Sequence, residues 1–225
     1  AVSEQPKVAE MVRTLAGRGC EVGLSSLRPD RLNDDFVGAL KLAGYRTLTT
    51  AMDGASDRIR DLLERKARIR HLERAAELAR AHGMARMKLY LMVGVPTETD
   101  EDIDECVAFT TALSKRIPLA LGIAPFCPKR NTPLAQAPYA GIDVVQRRLE
   151  RLRRGVKGRV EVRSKSARWT WVEAALARGG LAEGRAVVDA VPAGGGFAAW
   201  RQALEAVAPE SSDKARRRLM VVANA

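Results

Sequence analysis

The chain has 225 residues, a formal net charge of +11 and a pI near 10.1. Apolar residues make up 46% of it and charged residues 29%, a composition that is typical of globular proteins and excludes intrinsic disorder. No apolar run approaches the roughly 18 residues that a membrane span needs. The first residues also lack the pattern of a signal peptide. We therefore expect a cytoplasmic protein of bacterial type, with no membrane partner.

Short apolar strands alternate with helical segments over the first 140 residues. Strands are predicted over 21–27, 45–52, 87–93 and 118–126. Helices are predicted to begin at the capping residues Asn33, Ser56 and Thr99, with a further helix over about 70–82. This alternation predicts an α/β fold with parallel strands, either a barrel or a doubly wound sheet. Because the apolar runs are nearly continuous, they indicate a sheet covered on both faces.

The rest of the chain has a different character. A basic helix is predicted over 141–154, followed by a short strand at 160–163 and a helix around 169–178. A glycine-rich stretch then introduces another short helix. We predict two domains, an α/β domain over residues 1–140 and a basic, mostly helical extension over 141–225.

The carboxyl ends of the predicted strands carry polar residues, and ligands bind at this edge of parallel sheets. The residues there are Ser25, Ser26 and Arg28, then Thr50, Met52, Asp53 and Gly54, then Gly94, Thr97 and Glu98, and finally Phe126, Lys129 and Arg130. The set suits a zwitterionic or nucleoside-like small molecule. It contains no nucleophile–base pair; Cys127 is a candidate nucleophile, with a structural cysteine as the alternative.

Several stretches together resemble the later part of a radical S-adenosylmethionine (radical SAM) enzyme core. The similar group has an elongator-, methylthiotransferase- and coproporphyrinogen-dehydrogenase-like core, and within it the chain looks most like the cobalamin-binding-domain-associated radical SAM proteins. The stretches are AVSEQP (1–6), SSLRPDRL (25–32), TLTTAMDGASDRIRDLLERK (47–66), LYLMVGVPTETDED (89–102), PFCPKRNTPL (125–134), RSKSARWTWVEAALARGG (163–180) and GGFAAW (195–200). This resemblance implies a partial (β/α) barrel, the later part of a TIM-like barrel, with S-adenosylmethionine across the strand ends.

The resemblance also implies residues that face the methionine part of the cofactor. Ser26 and Arg28 would make polar contacts, Asp53 would contact the ribose or methionine portion, and Arg65 would hold the methionine carboxylate. From their own chemistry, Asp53 could equally be a turn residue before Gly54. Arg65 could equally form an i, i+4 ion pair with Asp61, worth about 0.3–0.5 kcal/mol.

A second set of residues would face the adenosine. Met92 would pack the adenine, Tyr90 would meet the ribose, Gly94 would allow close approach, and the backbone at Ala124–Phe126 would hold the adenine edge. Read without the resemblance, Tyr90 and Met92 are ordinary strand residues. The residues 97–99 are then helix-start residues, since acids suit a helix N-terminus.

The family's CxxxCxxC loop, which binds the [4Fe–4S] cluster through three thiolates, is absent from this sequence. Cys20, Cys106 and Cys127 are too far apart in sequence to form a disulfide framework or a self-contained metal motif. We therefore assign no metal ligands and expect the chain to be inactive by itself. The expected partners are the N-terminal half of the barrel with the cluster ligands, an unknown substrate and an electron donor. A cobalamin on a separate domain is a further expectation.

Two alternatives remain at this point. The basic run at 146–159 could bind RNA through phosphate contacts, although the aromatic content of 4% offers few stacking platforms. The chain could also be a non-catalytic remnant of a radical SAM enzyme.

Overall fold

The computed structural model describes residues 2–25 and 27–207. The strands are Thr47–Asp53 (β1), Arg86–Val93 (β2), Leu119–Pro125 (β3) and Glu161–Ser164 (β4). The helices are Val8–Gly17 (α1), Asp34–Leu42 (α2), Asp57–Leu62 (α3), Ile69–Ala81 (α4), Asp100–Ser114 (α5), Ile142–Gly155 (α6), Ala167–Arg178 (α7), Leu181–Ala190 (α8) and Phe197–Val207 (α9). Short 3₁₀ turns cover Val2–Glu4 and Pro29–Arg31. In this described part of the chain, no helix has the length and apolar character needed to cross a bilayer.

The four strands form one parallel sheet in the order β1-β2-β3-β4. One row of the register joins Ala51, Tyr90, Gly122 and Arg163 across the sheet. Parallel strands need helical crossovers, and α3 to α6 provide them. The predicted α/β class with additional C-terminal helices is confirmed.

The strand predicted over 21–27 is wrong for the described residues of that range. They are irregular, and Leu27 makes only an isolated bridge with Thr50. The Leu24 amide donates instead to the Tyr45 hydroxyl, and Leu27 N–H donates to Thr49 O at 3.0 Å. Gly23 and the serines that follow Leu24 have low β propensity. Leu24 and Leu27 therefore contact Tyr45 and β1 without extending the ladder.

The described chain divides into two compact units. The first contains the residues up to Phe126 together with Ala140–Ser166, and the second contains Cys127–Tyr139 and the residues from Ala167 onward. Residues 140–166 therefore bring α6 and β4 to the unit that holds the sheet. The domain boundary predicted at residue 140 stays a prediction.

The second unit has a small aromatic core of its own. Val172, Ala186 and Leu204 are buried, and Trp171 and Phe197 pack against them. The two rings meet edge to face with centroids 6.1 Å apart.

One face of the sheet is buried and the other is open. The buried face is formed by Leu48, Thr50, Met52, Met87, Leu89, Leu91, Val93, Leu119, Leu121 and Ile123. On the alternate positions, β1 is half-buried throughout, and β2 exposes Arg86 and Tyr90. The prediction that both faces of the sheet are covered is therefore wrong. Helices cover only one face, and of these three strands only β3 is buried nearly continuously along its length. We call the other surface the open face.

Gly122 lies under the Tyr90 ring on the open face. A Cβ at position 122 would lie 2.5 Å from Cε1 and 2.6 Å from Cδ1 of Tyr90. β3 presents only Ala120, Gly122 and Ala124 to this face. The absence of larger side chains on β3 makes a groove between β2 and β4.

We expect Gly122→Ala to destabilise the fold by about 1–3 kcal/mol, because the added methyl overpacks the Tyr90 ring. In a Tyr90→Ala background the same change is expected to be close to neutral, since the clash is gone. Urea denaturation of the four proteins measures both free energies of unfolding. An equal cost of Gly122→Ala in the two backgrounds would contradict the contact.

Candidate functional site

A groove on the open face forms a concave site of the first unit. It has a volume of about 500 Å³, and the residues that line it come from all four strands and the residue after β4: Asp53, Lys88, Tyr90, Leu91, Met92, Gly122, Ile123, Ala124, Arg163, Ser164 and Lys165. Three of the residues predicted to bind a cofactor, Asp53, Tyr90 and Met92, thus lie together. The groove opens at the carboxyl ends of the strands, where parallel α/β folds bind ligands.

Asp53 ends β1 in a left-handed conformation, with φ of +64°. The Gly54 amide donates to Met52 O at 2.8 Å across it, so Asp53 is indeed the turn residue that its sequence also suggested. A side chain in this region costs roughly 1–2 kcal/mol, and Arg60 helps to hold the turn. Its guanidinium is 1% exposed and donates to Gly54 O at 3.1 Å and to Asp57 Oδ1 at 2.7 Å.

Arg65 pairs with Asp53, with 3.2 Å between Nε and Oδ2. The alternative i, i+4 pair with Asp61 is wrong, because Asp61 is paired with Arg68. Burial raises the pKa of Asp53, and the positive charge of Arg65 offsets part of that rise. The Asp53 carboxylate, which lines the groove, therefore has the Arg65 guanidinium beside it, although Arg65 is not itself among the lining residues.

Tyr90 and Met92 form the wall of the groove on β2. Tyr90 is 42% exposed, which is high for an aromatic residue in the middle of a sheet. The Lys88 ammonium lies 4.6 Å from its ring centroid, a cation–π contact. Ala124 on β3 faces Met92 in the register and leaves space beside it. A flat apolar group could lie between these side chains.

Arg65 and the remaining predicted site residues are not among those that line the groove. Gly94 has φ of +83°, and a Cβ there would lie 3.0 Å from Val145 and 3.3 Å from Ala140, so its close approach is to the start of α6. Phe126 is buried, with its amide donating to Val93 O at 2.8 Å. Arg28 is paired with Glu4 and Asp30. Ser26 lies outside the described residues.

Glu98 is a buried acid in the loop after β2, and its role was missed in the sequence. Its Oε2 accepts the Gly94 N–H at 2.7 Å and Arg148 Nη1 at 3.1 Å, and its side chain is fully shielded from solvent. Burial raises the pKa of Glu98 to about 7, although Gly94 N–H and Arg148 both act to lower it. No local signal could have revealed the pair, because its members are 50 positions apart.

The start of α5 is held by a second acid, Asp102. It accepts the Thr99 N–H at 2.7 Å, as the predicted capping motif requires. Asp102 also accepts a hydrogen bond from Ser56 Oγ at 2.5 Å and forms an ion pair with Arg58. Arg58 in turn donates a hydrogen bond to Thr97 O at 2.8 Å. Burial opposes ionisation of Asp102, but the hydrogen bonds from Arg58 and Ser56 outweigh it and lower the pKa. This network joins the loops that follow β1 and β2.

The basic helix α6 packs against the acidic helix α5. Arg151 contacts Asp104 through two hydrogen bonds of 2.7 and 2.6 Å, and Arg148 pairs with Glu98. Part of the basic run at 146–159 thus pairs with acids of the same unit. RNA binding by this run stays an untested hypothesis.

The cysteines do not form a metal site within residues 2–25 and 27–207. Those residues contain no group of three or more His, Cys, Asp or Glu side chains that could hold a metal ion. Cys20 is exposed and Cys106 is buried on α5, where burial raises the pKa of its thiol to about 12. Such a thiol stays protonated and is a poor metal ligand.

Comparison with known proteins gives two matches. Residues 3–110 match the family model described as the radical SAM superfamily. Over 133 residues, 59% of the chain, the sequence is 38% identical to an uncharacterized protein of Methanocaldococcus jannaschii. The chain covers 29% of that relative's length. The matched family region includes Asp53, Arg65, Tyr90 and Met92.

Glu98→Gln is expected to alter how stability depends on pH. The folded-state pKa of Glu98, about 7, lies above its ordinary value of 4.5, so between these values the folded chain keeps a proton that the unfolded chain releases. This contribution to stability is fully present below pH 4.5 and is lost as the pH rises through 7. At about 1.4 kcal/mol per pKa unit, the wild type should lose roughly 3 kcal/mol more than Glu98→Gln between pH 4.5 and pH 8.

Urea denaturation at a series of pH values measures this difference, with Glu10→Gln on the exposed surface of α1 as the control. The control should follow the wild-type profile. Parallel profiles for the wild type and Glu98→Gln would show that the buried carboxyl does not titrate in this range.

Proposed function

We propose that the chain is the S-adenosylmethionine-binding part of a radical SAM enzyme, because residues 3–110 match the family model described as the radical SAM superfamily. The observation that carries the proposal is that Asp53, which pairs with Arg65, lines the same groove as Tyr90 and Met92. A paired acid and base next to an apolar slot matches a ligand that has both charges and a flat ring system.

The chemistry of these residues fits the cofactor. Arg65 can bind the methionine carboxylate, since a guanidinium holds a carboxylate through two parallel hydrogen bonds. Asp53 can accept hydrogen bonds from the amino group or the ribose hydroxyls. Met92 offers an apolar contact for the adenine. On binding, Arg65 would exchange its contact with Asp53 for the cofactor, or share it.

In this superfamily S-adenosylmethionine supplies the group that becomes the radical after reductive cleavage at a [4Fe–4S] cluster. The described residues of this chain do not fit that cluster. The three cysteines of the chain are dispersed, and the described residues contain no group of side chains that could hold a metal. Our proposal therefore limits this chain's part to binding and orienting the cofactor. The cluster ligands would be supplied by other residues than these; the chain covers 29% of the length of its relative. Cobalamin stays an expectation of the sequence resemblance alone.

We expect the chain to bind S-adenosylmethionine and Arg65→Met to weaken that binding at least fivefold, because the carboxylate loses its partner. Equilibrium dialysis with labelled S-adenosylmethionine measures the affinity directly. Arg116→Met is a matched control, since Arg116 is likewise exposed and paired, with Glu73 and Glu77. The circular dichroism spectra of the three proteins should coincide, which would show that the substitutions leave the fold unchanged.

Two outcomes would count against the proposal. Absence of saturable binding to the folded wild type would favour the non-catalytic remnant instead. Equal affinities for the wild type, Arg65→Met and Arg116→Met would remove Arg65 from the site.

A further inference from the structure

The groove carries more positive than negative charge, and the excess is on the side of β4. Lys88, Arg163 and Lys165 line it, and Asp53 is the single acid among the lining residues. Asp53 is already paired with Arg65. The β4 edge of the groove therefore has more cationic side chains than acidic ones.

The ion pairs on the open face do not neutralise these cations. Glu161 is shared by Arg163, at 2.6 Å, and by Arg86, at 3.0 Å. In the described part of the chain, neither Lys88 nor Lys165 has a carboxylate within 4.0 Å. Two arginines with one acid and two lysines with none leave a local positive potential, which a low-dielectric apolar floor strengthens.

The register separates these cations from the residues proposed for the cofactor. Arg163 is level with Gly122 and Tyr90, and Lys165 follows the residue that pairs with Ile123, so it is level with Ala124. β4 is two strands from β2, about 10 Å away at the usual spacing of nearly 5 Å per strand. The space between them lies over the small residues of β3. A molecule of modest size could therefore occupy the β4 side while the β1 and β2 side remains available.

We propose that the β4 side of the groove binds a carboxylate or phosphate group of the substrate through Arg163 and Lys165. The apolar part of the substrate would lie over Ala124, beside the Tyr90 ring, with Lys88 adding charge from β2. Arg163 offers a planar fork that matches either anion, and Lys165 offers a movable point charge. This inference rests on the proposed function, in which the other side of the groove holds S-adenosylmethionine.

The test uses benzoate and inorganic phosphate as probes, with benzamide as the uncharged match for benzoate. The protein carries ¹³C-methyl methionine, so that Met92 reports on the groove and Met11, exposed on α1, serves as a distant reference. The test variant is Arg163→Met with Lys165→Met. The matched control is Lys157→Met with Arg159→Met, which removes the same two charges from exposed positions before β4.

We expect benzoate, phosphate or both to shift the Met92 methyl resonance saturably, and benzamide to leave it unchanged. Affinity should fall at least tenfold in the test variant and stay within twofold in the control. Whichever probe binds identifies the anionic group. Binding of benzamide as tight as that of benzoate, or equal losses in the test and control variants, would overturn the inference.

Dialysis with S-adenosylmethionine separates the inference from the proposed function. If the test variant keeps wild-type affinity for S-adenosylmethionine but no longer binds benzoate, the inference and the proposed function both stand. If it loses both ligands together, Arg163 and Lys165 serve the cofactor's own carboxylate, and the inference fails while the proposed function stands. If benzoate binds as expected but the wild type does not bind S-adenosylmethionine, the proposed function fails and the anion site stands.

Discussion

The Tyr90 ring crosses β3 at Gly122, and the shape of the groove depends on this contact. Any side chain at position 122 would push the ring outward, because even a Cβ would come within 2.6 Å of two ring carbons. The Tyr90 ring lies close to the sheet, and on the open face β3 carries only small residues. This face of the four-stranded sheet therefore becomes a channel with walls on β2 and β4. The helices on the buried face fix the strands themselves. The contact between one tyrosine and one glycine then determines how much space the open face offers a ligand.

Buried charges hold the loops at the rim of this channel. Arg60 supports the turn after β1, Asp102 joins that turn to the start of α5, and Glu98 ties Gly94 to α6. Each of these groups loses hydration on folding, so each needs its partners to avoid a cost of several kcal/mol. The arrangement is stiff because removing one partner leaves the other buried and uncompensated. A ligand site such as the one proposed for S-adenosylmethionine would gain a fixed shape from a rim with this property.

Local patterns in the sequence predicted the elements well and the site in part. β1 to β3, the caps at Asn33, Ser56 and Thr99, and the additional helices follow from apolar runs and capping residues, which act over a few positions. The sequence resemblance pointed to Asp53, Tyr90 and Met92, and these residues line one groove; their role in binding stays a prediction. The Glu98–Arg148 pair and the open face could not be predicted, since both depend on what packs against a strand from far along the chain. The irregular segment before Arg28 was mistaken for a strand because its apolar alternation is the same in both conformations.

The position of β4 has a consequence for the smallest part of this protein that could fold. β4 covers the outer edge of β3, and α6 supplies the arginine that compensates Glu98. A fragment that stopped near residue 140 would leave the β3 backbone unpaired along an apolar edge, which is a template for aggregation. It would also leave a carboxylate buried without its counter-ion. The compact unit around the sheet extends to Ser166, and residues 127–139 belong to the other compact unit.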